Sequence, residues 1–441
     1  MDSQLKISYR RIETLIPSPA NARAHSQKQI AQIADCIRTF GFTMPILVDK
    51  AGEIIAGHGR LAAAKMLGMR KVPTVEAEHL SKEQASALRI ADNRLTELSS
   101  WDRKLLKAEF EVLSAVELDF DLNITGFEAP EIDILLNGEA HEAGEEAPPP
   151  APPDPAQAVS RTGDIWRIGA HRLLCGDLRD RTGLGHLMAG AQARLVVTDP
   201  PYNVRIRGFA GGKGRIRHRE FAHASGEMSE DAYRLFLSET LQATAAQCSG
   251  GALAYVFIDW RHVQDAIAAG TASLGALINL AVWVKTNPGM GSFYRSGHEL
   301  IPVFRVGSAK SVNNIELGRF GRNRSNVWTY PSVNSFARHR KRELELHPTP
   351  KPVALIADAI RDASNRGDIV FDGFAGSGAT LVAAQRTGRN GYGVEIDSAY
   401  CDVVVKRLAD ESGQAATLEA TGETFAAVAA ARGVAHAVGQ A

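Results

Sequence analysis

The chain has 441 residues, with 50 Lys plus Arg against 50 Asp plus Glu, so its formal net charge is zero. That length exceeds one ordinary domain and points to two folded domains with a connection. A neutral total neither demands nor excludes a polyanionic partner, which leaves the local charge distribution to decide. Cys36, Cys175, Cys248 and Cys401 stand apart with no C-x-x-C pair or histidine cluster, indicating neither a disulfide framework nor a metal site. The first residues lack the apolar core of a signal peptide, and no run reaches the roughly 18 apolar residues that span a bilayer. A cytoplasmic protein with no membrane partner is expected.

From Gln27 to Phe40 the apolar residues Ile30, Ile33, Ala34 and Ile37 recur at helical spacing, and Gly41 stands where a helix-ending glycine would. A short strand from Pro45 to Val48 turns through Asp49–Gly52 into Glu53–Ile55. The turn Gly57-His58-Gly59-Arg60 then opens a second helix. A strand feeding a glycine turn at a helix N-terminus can receive an anion, with Arg60 as a charged fork; a plain tight turn with a surface Arg is the alternative. Residues Ser18 to Leu98, including I-I-A-G-H-G-R-L and A-L-R-I-A-D-N-R-L, resemble the N-terminal domain of ParB-type chromosome-partition proteins. The resemblance implies an α+β domain over residues 1–137, with Gly57, Gly59 and Arg60 at a nucleotide phosphate pocket.

Between Gly138 and Ser160 four glutamates precede P-P-P-A-P-P-D-P, a stretch without apolar periodicity. It reads as an extended spacer from 138 to 160 between two domains. Beyond it, short strands around Ile165–Ile168 and Arg172–Cys175 lead to Asp177. The apolar run Leu195–Val197 is a buried strand ending in T-D-P-P-Y-N at Thr198–Asn203. Open α/β sheets place ligands at such strand ends. Asp199 supplies a charged acceptor, Pro200 and Pro201 stiffen the backbone and leave carbonyls available, and Tyr202 offers a stacking face. The set suits a planar group carrying an amine, although locally a strand ending in a proline turn reads equally well.

The segment after Asn203 is basic and glycine-rich, with Arg205, Arg207, Lys213, Arg215, Arg217 and Arg219. Such a local surplus favours a phosphate backbone. Further strands are expected at Ala252–Ile258, Leu280–Val284 and His298–Val306. Basic clusters that include Arg322 and Arg324 fall in a region, 312–346, without clear long elements. After a helix through Val353, Leu355, Ile356 and Ile360 comes the strand Ile369–Asp372. The turn Phe374-Ala375-Gly376-Ser377-Gly378 and a helix follow, and one unit later Glu395 ends another strand. A strand, glycine turn and helix allow close approach of a ligand, and a carboxylate at the next strand end can accept both hydroxyls of a ribose.

Residues from Gly163 to Ala409 resemble the DNA amino-methyltransferases of the beta group. The likeness rests on D-P-P-Y at 199–202, H-P-T-P-K-P at 347–352, F-A-G-S-G at 374–378 and G-V-E-I-D at 393–397. It implies a Rossmann-like, mostly parallel seven-stranded sheet over 161–410, with 411–441 as a tail, in permuted motif order. It implies S-adenosylmethionine as cofactor, held by Phe374, Ala375, Gly376, Ser377, Gly378 and Glu395 with Asp177 near the adenosine and Lys351 beside the pocket. Asp199, Pro200, Pro201 and Tyr202 would be catalytic, on a flipped adenine of double-stranded DNA that the basic loops hold. Adenine N6 is favoured because cytosine-N4 relatives commonly carry Ser at the position of Asp199. Cytosine N4, or a non-catalytic ParB-like DNA-binding adaptor, are the alternatives. A homodimer, an accompanying restriction endonuclease and a nucleotide at the N-terminal domain are left open.

Overall fold

The computed structural model describes residues 6–137 and 149–434, apart from 115, 117, 150–151, 204–226, 290–293, 317–323 and 332–350. The chain divides into two compact units, Met1–Leu136 and Asn137–Ala441. Among the described residues no helix is long and apolar enough to cross a membrane.

In the first unit, strands β1 (Ile7–Arg11), β2 (Ile46–Val48), β3 (Ile54–Ala56) and β4 (Lys71–Glu76) form a sheet ordered β1-β4-β2-β3. The helices are α1 (Gln27–Phe40), α2 (His58–Met66), α3 (Lys82–Leu98) and α4 (Arg103–Ser114), with α5 (Ala129–Asn137) at the division between the units. Helix α1 begins where Ser26 Oγ accepts the Gln29 amide, and α3 where Ser81 and Gln84 cap each other reciprocally. Ile12, Leu15, Ile46, Val48, Ile54, Leu61, Ala64 and Val72 make the core.

The second unit runs β5 (Ile165–Ile168), β6 (His171–Cys175), α6 (Arg181–Met188), β7 (Ala193–Thr198), α7 (Glu230–Ala245), β8 (Cys248–Val256) and α8 (Val263–Ser273). It continues through β9 (Gly275–Gly289), β10 (Ser296–Val306), β11 (Val327–Tyr330), α9 (Val353–Ala363), β12 (Ile369–Asp372) and α10 (Ala379–Arg386). It ends with β13 (Asn390–Glu395), α11 (Ser398–Ser412), β14 (Thr417–Leu418) and α12 (Phe425–Ala431). The sheet has ten strands in the order β11-β9-β10-β8-β7-β12-β13-β6-β5-β14, rather than the seven expected. Strands β8, β7, β12, β13 and β6 are mutually parallel; β10 pairs antiparallel with β8 and β9, β5 pairs antiparallel with β6 and β14, and β11 joins β9 in parallel. The seven strands from β9 to β6 are contiguous, and β11, β5 and β14 extend them.

Strand β7 shows why the sheet is buried on both faces. Leu195 and Val197 pack with Leu355, Ile356 and Ile360 of α9 and Val382 of α10. Val196 faces the other way, among Leu184, Leu187, Tyr233 and Leu237 of α6 and α7. Alternate side chains thus meet different helical layers, which is why the strand reads as a continuous apolar run.

Two expected boundaries move. The segment read as a tail belongs to the fold: β14 pairs with β5, Phe425 packs on Trp166 with ring centroids 5.0 Å apart, and Arg432 binds Asp164. The spacer ends earlier than Ser160, because the fully buried Asp402 carboxylate accepts the amides of Val159 (2.7 Å) and Ser160 (2.9 Å) and the Ser160 hydroxyl (2.7 Å). Three donors on a helix residue tie down the chain where the second sheet begins.

Candidate active site

The parallel strands β7, β12 and β13 release their chains at one edge of the sheet, and the side chains just past those ends converge. Thr198 Oγ1 donates to Asp372 Oδ1 at 3.0 Å, so the last residues of β7 and β12 are joined by a side-chain hydrogen bond. The Phe374 amide donates to the same Asp372 oxygen at 3.0 Å. Burial pushes the Asp372 carboxyl up to about 6, with these donors opposing it.

The turn from Phe374 to Gly378 leaves β12 and enters α10 at Gly378, whose φ is +84° and whose missing Cβ would lie 3.0 Å from Val404 Cγ1. Only glycine fits that backbone against α11. Glu395, at the end of β13, accepts the Gly376 amide at 2.7 Å and the Asp397 amide at 2.8 Å, one on each oxygen. Burial raises its carboxyl to about 7, against the pull of those two amides. A carboxylate offers about four lone-pair sites, so two remain for hydroxyl donors. The turn, the small residues and the buried carboxylate fit an adenosine-containing cofactor. Asp177 follows β6, beside Glu395: the Gly176 amide donates to the Glu395 carbonyl at 2.8 Å. Its carboxylate pairs with Arg179 at 2.7 Å.

The D-P-P-Y residues sit one strand away. Asp199 Oδ1 accepts the Tyr202 hydroxyl at 2.6 Å, and Asp199 Oδ2 accepts Lys351 Nζ at 2.5 Å. Lys351, expected beside the cofactor pocket, therefore stands on the Asp199 carboxylate. It also lies 3.2 Å from Glu299, which in turn accepts Lys285 Nζ at 2.6 Å. Burial raises Asp199, opposed by Lys351 and reinforced by Glu299. Burial would raise Glu299 as well, but Lys351 and Lys285 hold it down at about 2. Burial works against the Lys351 charge, and the two carboxylates outweigh it, so the lysine is shifted upward and stays an ammonium. Tyr202 is raised well above its ordinary range by burial and both carboxylates, and remains a donor.

Behind this cluster, the Tyr233 hydroxyl of α7 donates to the Pro201 carbonyl at 3.0 Å, and the Tyr233 ring packs edge-on against His262, centroids 4.9 Å apart. His262 is held by Asp259 at 2.7 Å, which fixes the second proline from the neighbouring strand end. Asn203, at φ +52°, binds both the carbonyl (2.9 Å) and the amide (3.2 Å) of Met228.

Of the basic residues expected on DNA, Arg205, Arg207, Lys213, Arg215, Arg217, Arg219 and Arg322 lie outside the described residues, as do His347–Pro350. Arg324 is a correction. Its guanidinium is ion-paired with Asp358 and Asp362 at 2.8 Å each and lies over the Trp328 ring, its side chain 15% exposed, so it belongs to an internal cluster. In the first unit, Gly57 has φ +107° and Arg60 Nη1 donates to the carbonyls of Met44 (2.7 Å) and Pro45 (2.8 Å). Gly59 lies against His25 and Ile33. Sequence reading missed Glu299, an acid inside a strand with no motif around it, and Asp372, whose position as last residue of a strand before the glycine turn was the available signal.

A family model described as DNA methylase matches residues 193–406, one for the ParB N-terminal domain matches 2–94, and one for a ParB-methyltransferase HTH domain matches 104–162. The last overlaps the stretch read as a spacer and includes α5 and nearly all of α4. The ParB-like nuclease domain-containing protein YnaK of Escherichia coli is 50% identical over 84 residues, which are 19% of this chain and 97% of that protein. The type II methyltransferase M.HpaI of Haemophilus parainfluenzae is 27% identical over 231 residues, covering 49% of this chain and 68% of its own length. The solved M1.HpyAVI-SAM complex aligns with 54% of this chain and 98% of its own at 19% identity, with a TM-score of 0.38.

Proposed function

The chain belongs, through its N-terminal part, to the ParB-like nuclease-domain proteins, and carries beyond it a domain of the N6/N4 DNA methylase family; on that premise we propose that it methylates adenine N6 at specific sites in double-stranded DNA. The observation that carries this reading is the placement of Asp199, with Pro200, Pro201 and Tyr202, one strand away from the Phe374–Gly378 turn and two from Glu395. Bound S-adenosylmethionine supplies an activated methyl group on sulfonium, so no protein nucleophile is needed. Glu395 and the glycine turn hold that cofactor, with Asp177 at its adenosine end. The strand bearing Asp199 precedes those bearing the glycine turn and Glu395 in the chain, which supports the permuted motif order.

Asp199 and the Pro200 carbonyl accept the two hydrogens of the exocyclic amine, which draws its lone pair out of ring conjugation and aims it. Tyr202 stacks on the base, which has to leave the duplex to reach a strand-end site. Tyr233 keeps the Pro201 peptide from rotating. The basic loop after Asn203 and the helix-turn-helix region are the proposed phosphate and duplex contacts, and the Gly57–Arg60 turn the proposed nucleotide phosphate site.

Incubation with labelled S-adenosylmethionine and mixed-sequence duplex DNA, followed by nucleoside analysis, tests the reading. Label in N6-methyladenine is the expected result. Label confined to N4-methylcytosine overturns the base assignment, and no label in any nucleoside overturns the enzyme.

A further inference from the structure

The Tyr202 hydroxyl and the Lys351 ammonium stand between two carboxylates. The hydroxyl is 2.6 Å from Asp199 Oδ1 and 3.0 Å from Glu299 Oε2. The ammonium is 2.5 Å from Asp199 Oδ2 and 3.2 Å from Glu299 Oε2. A phenol has one hydrogen, so it serves one acceptor fully at a time, and the shorter distance gives it to Asp199. Each Asp199 oxygen therefore already serves one donor, and although a lone pair stays open on each, the ammonium and the hydroxyl weaken the carboxylate as an acceptor for an incoming amine.

Glu299 is built to receive what Asp199 gives up. It is buried, 5% exposed, on β10, and Lys285 of β9 fixes its Oε1 at 2.6 Å while Oε2 faces the two shared donors. Both donors already stand within reach of Glu299 Oε2, the hydroxyl at 3.0 Å and the ammonium at 3.2 Å. The groups facing Glu299 are Lys285 from β9, Lys351 from the chain entering α9, and Tyr202 and Asp199 from the chain leaving β7. Two lysines balance two carboxylates, so a change of hydrogen-bond partner creates no uncompensated buried charge.

We propose that Glu299 is a positioning residue for methyl transfer: it takes over the Tyr202 hydroxyl and the Lys351 ammonium when the target amine arrives, which makes Asp199 a stronger acceptor for that amine. The inference rests on the methyltransferase reading. No covalent bond changes in this step; two hydrogen bonds change acceptor. Glu299 touches neither base nor methyl group.

The test compares the wild-type full chain with Glu299→Gln and Glu299→Asp in methyl transfer to duplex DNA across pH. Loss of a charged acceptor is expected to lower kcat of Glu299→Gln about 10- to 100-fold, with KM for DNA within about twofold of wild type. Removing the Glu299 charge also removes one cause of the raised Asp199 carboxyl, so the acid limb of kcat moves to lower pH. Glu299→Asp keeps the charge and regains most of the rate with the limb unmoved, and it decides the matter if Glu299→Gln does not fold. Wild-type kcat in Glu299→Gln, or an equal loss in both variants with the limb unmoved, overturns the inference. An inactive wild type overturns the methyltransferase reading itself, which separates the two failures.

Discussion

Cofactor affinity should depend on pH through Glu395. Its carboxyl is raised from an ordinary 4.5 to about 7 by burial at the end of β13, so the free protein carries it partly protonated at neutral pH. Ribose hydroxyls donate to the ionised form, so affinity rises with pH through about 7 and then levels off. At pH 6 about one tenth of the molecules carry the charge, which weakens binding about tenfold, or about 1.4 kcal/mol. At pH 5 the loss is about a hundredfold. Asp372, raised to about 6 at the adjoining strand end, steepens the fall below that pH if it also has to ionise. Glu395→Gln keeps the shape, removes the titration and leaves one of the two amides that Glu395 satisfies without its oxygen. Titration calorimetry with S-adenosylmethionine from pH 5.5 to 8.5 should show the slope in the wild type. The variant should be weaker and lack the slope near 7. A flat wild-type profile, or an unchanged slope in Glu395→Gln, would refute the assignment of Glu395 to the ribose.

Further consequences concern the cluster and the frame around it. Asp199→Asn should lower kcat about a hundredfold or more while calorimetric cofactor affinity stays within about twofold, because the acceptor is weakened at the amine and not at the cradle. Asp402→Ala leaves three buried donors at Val159 and Ser160 without their acceptor and should cost about 3–5 kcal/mol, read from urea unfolding. Arg324→Ala withdraws the cation from Asp358 and Asp362 and should cost about 2–4 kcal/mol by the same measurement. The salt dependence of DNA binding should be unchanged in Arg324→Ala; a slope reduced by about one would return Arg324 to the phosphate contacts.

The sequence by itself determined the elements and the strand-end motifs, because both are local. The helix from Gln27 to Phe40 with Gly41 after it, and the run at Leu195–Val197 ending at Asp199, follow from periodicity and from residues that stop an element. The glycine turn at Phe374–Gly378 is legible for the same reason: only glycine satisfies φ +84° at Gly378 against Val404. Strand order is not local. Glu299, with Lys285 on it, joins the Asp199 cluster only because β10 pairs with both β8 and β9 there, and Lys351 enters from a segment 152 residues away in the chain. Hydrophobic alternation says which face a residue occupies but not which strand lies beside it. The edge strands β11 and β14 were missed because two to four residues carry too little pattern to distinguish them from loop. Arg324 shows the remaining limit. A basic residue in a basic stretch has the same sequence signature on a phosphate or on Asp358 and Asp362, and only packing, which buries those two acids under the sheet, decided its partner.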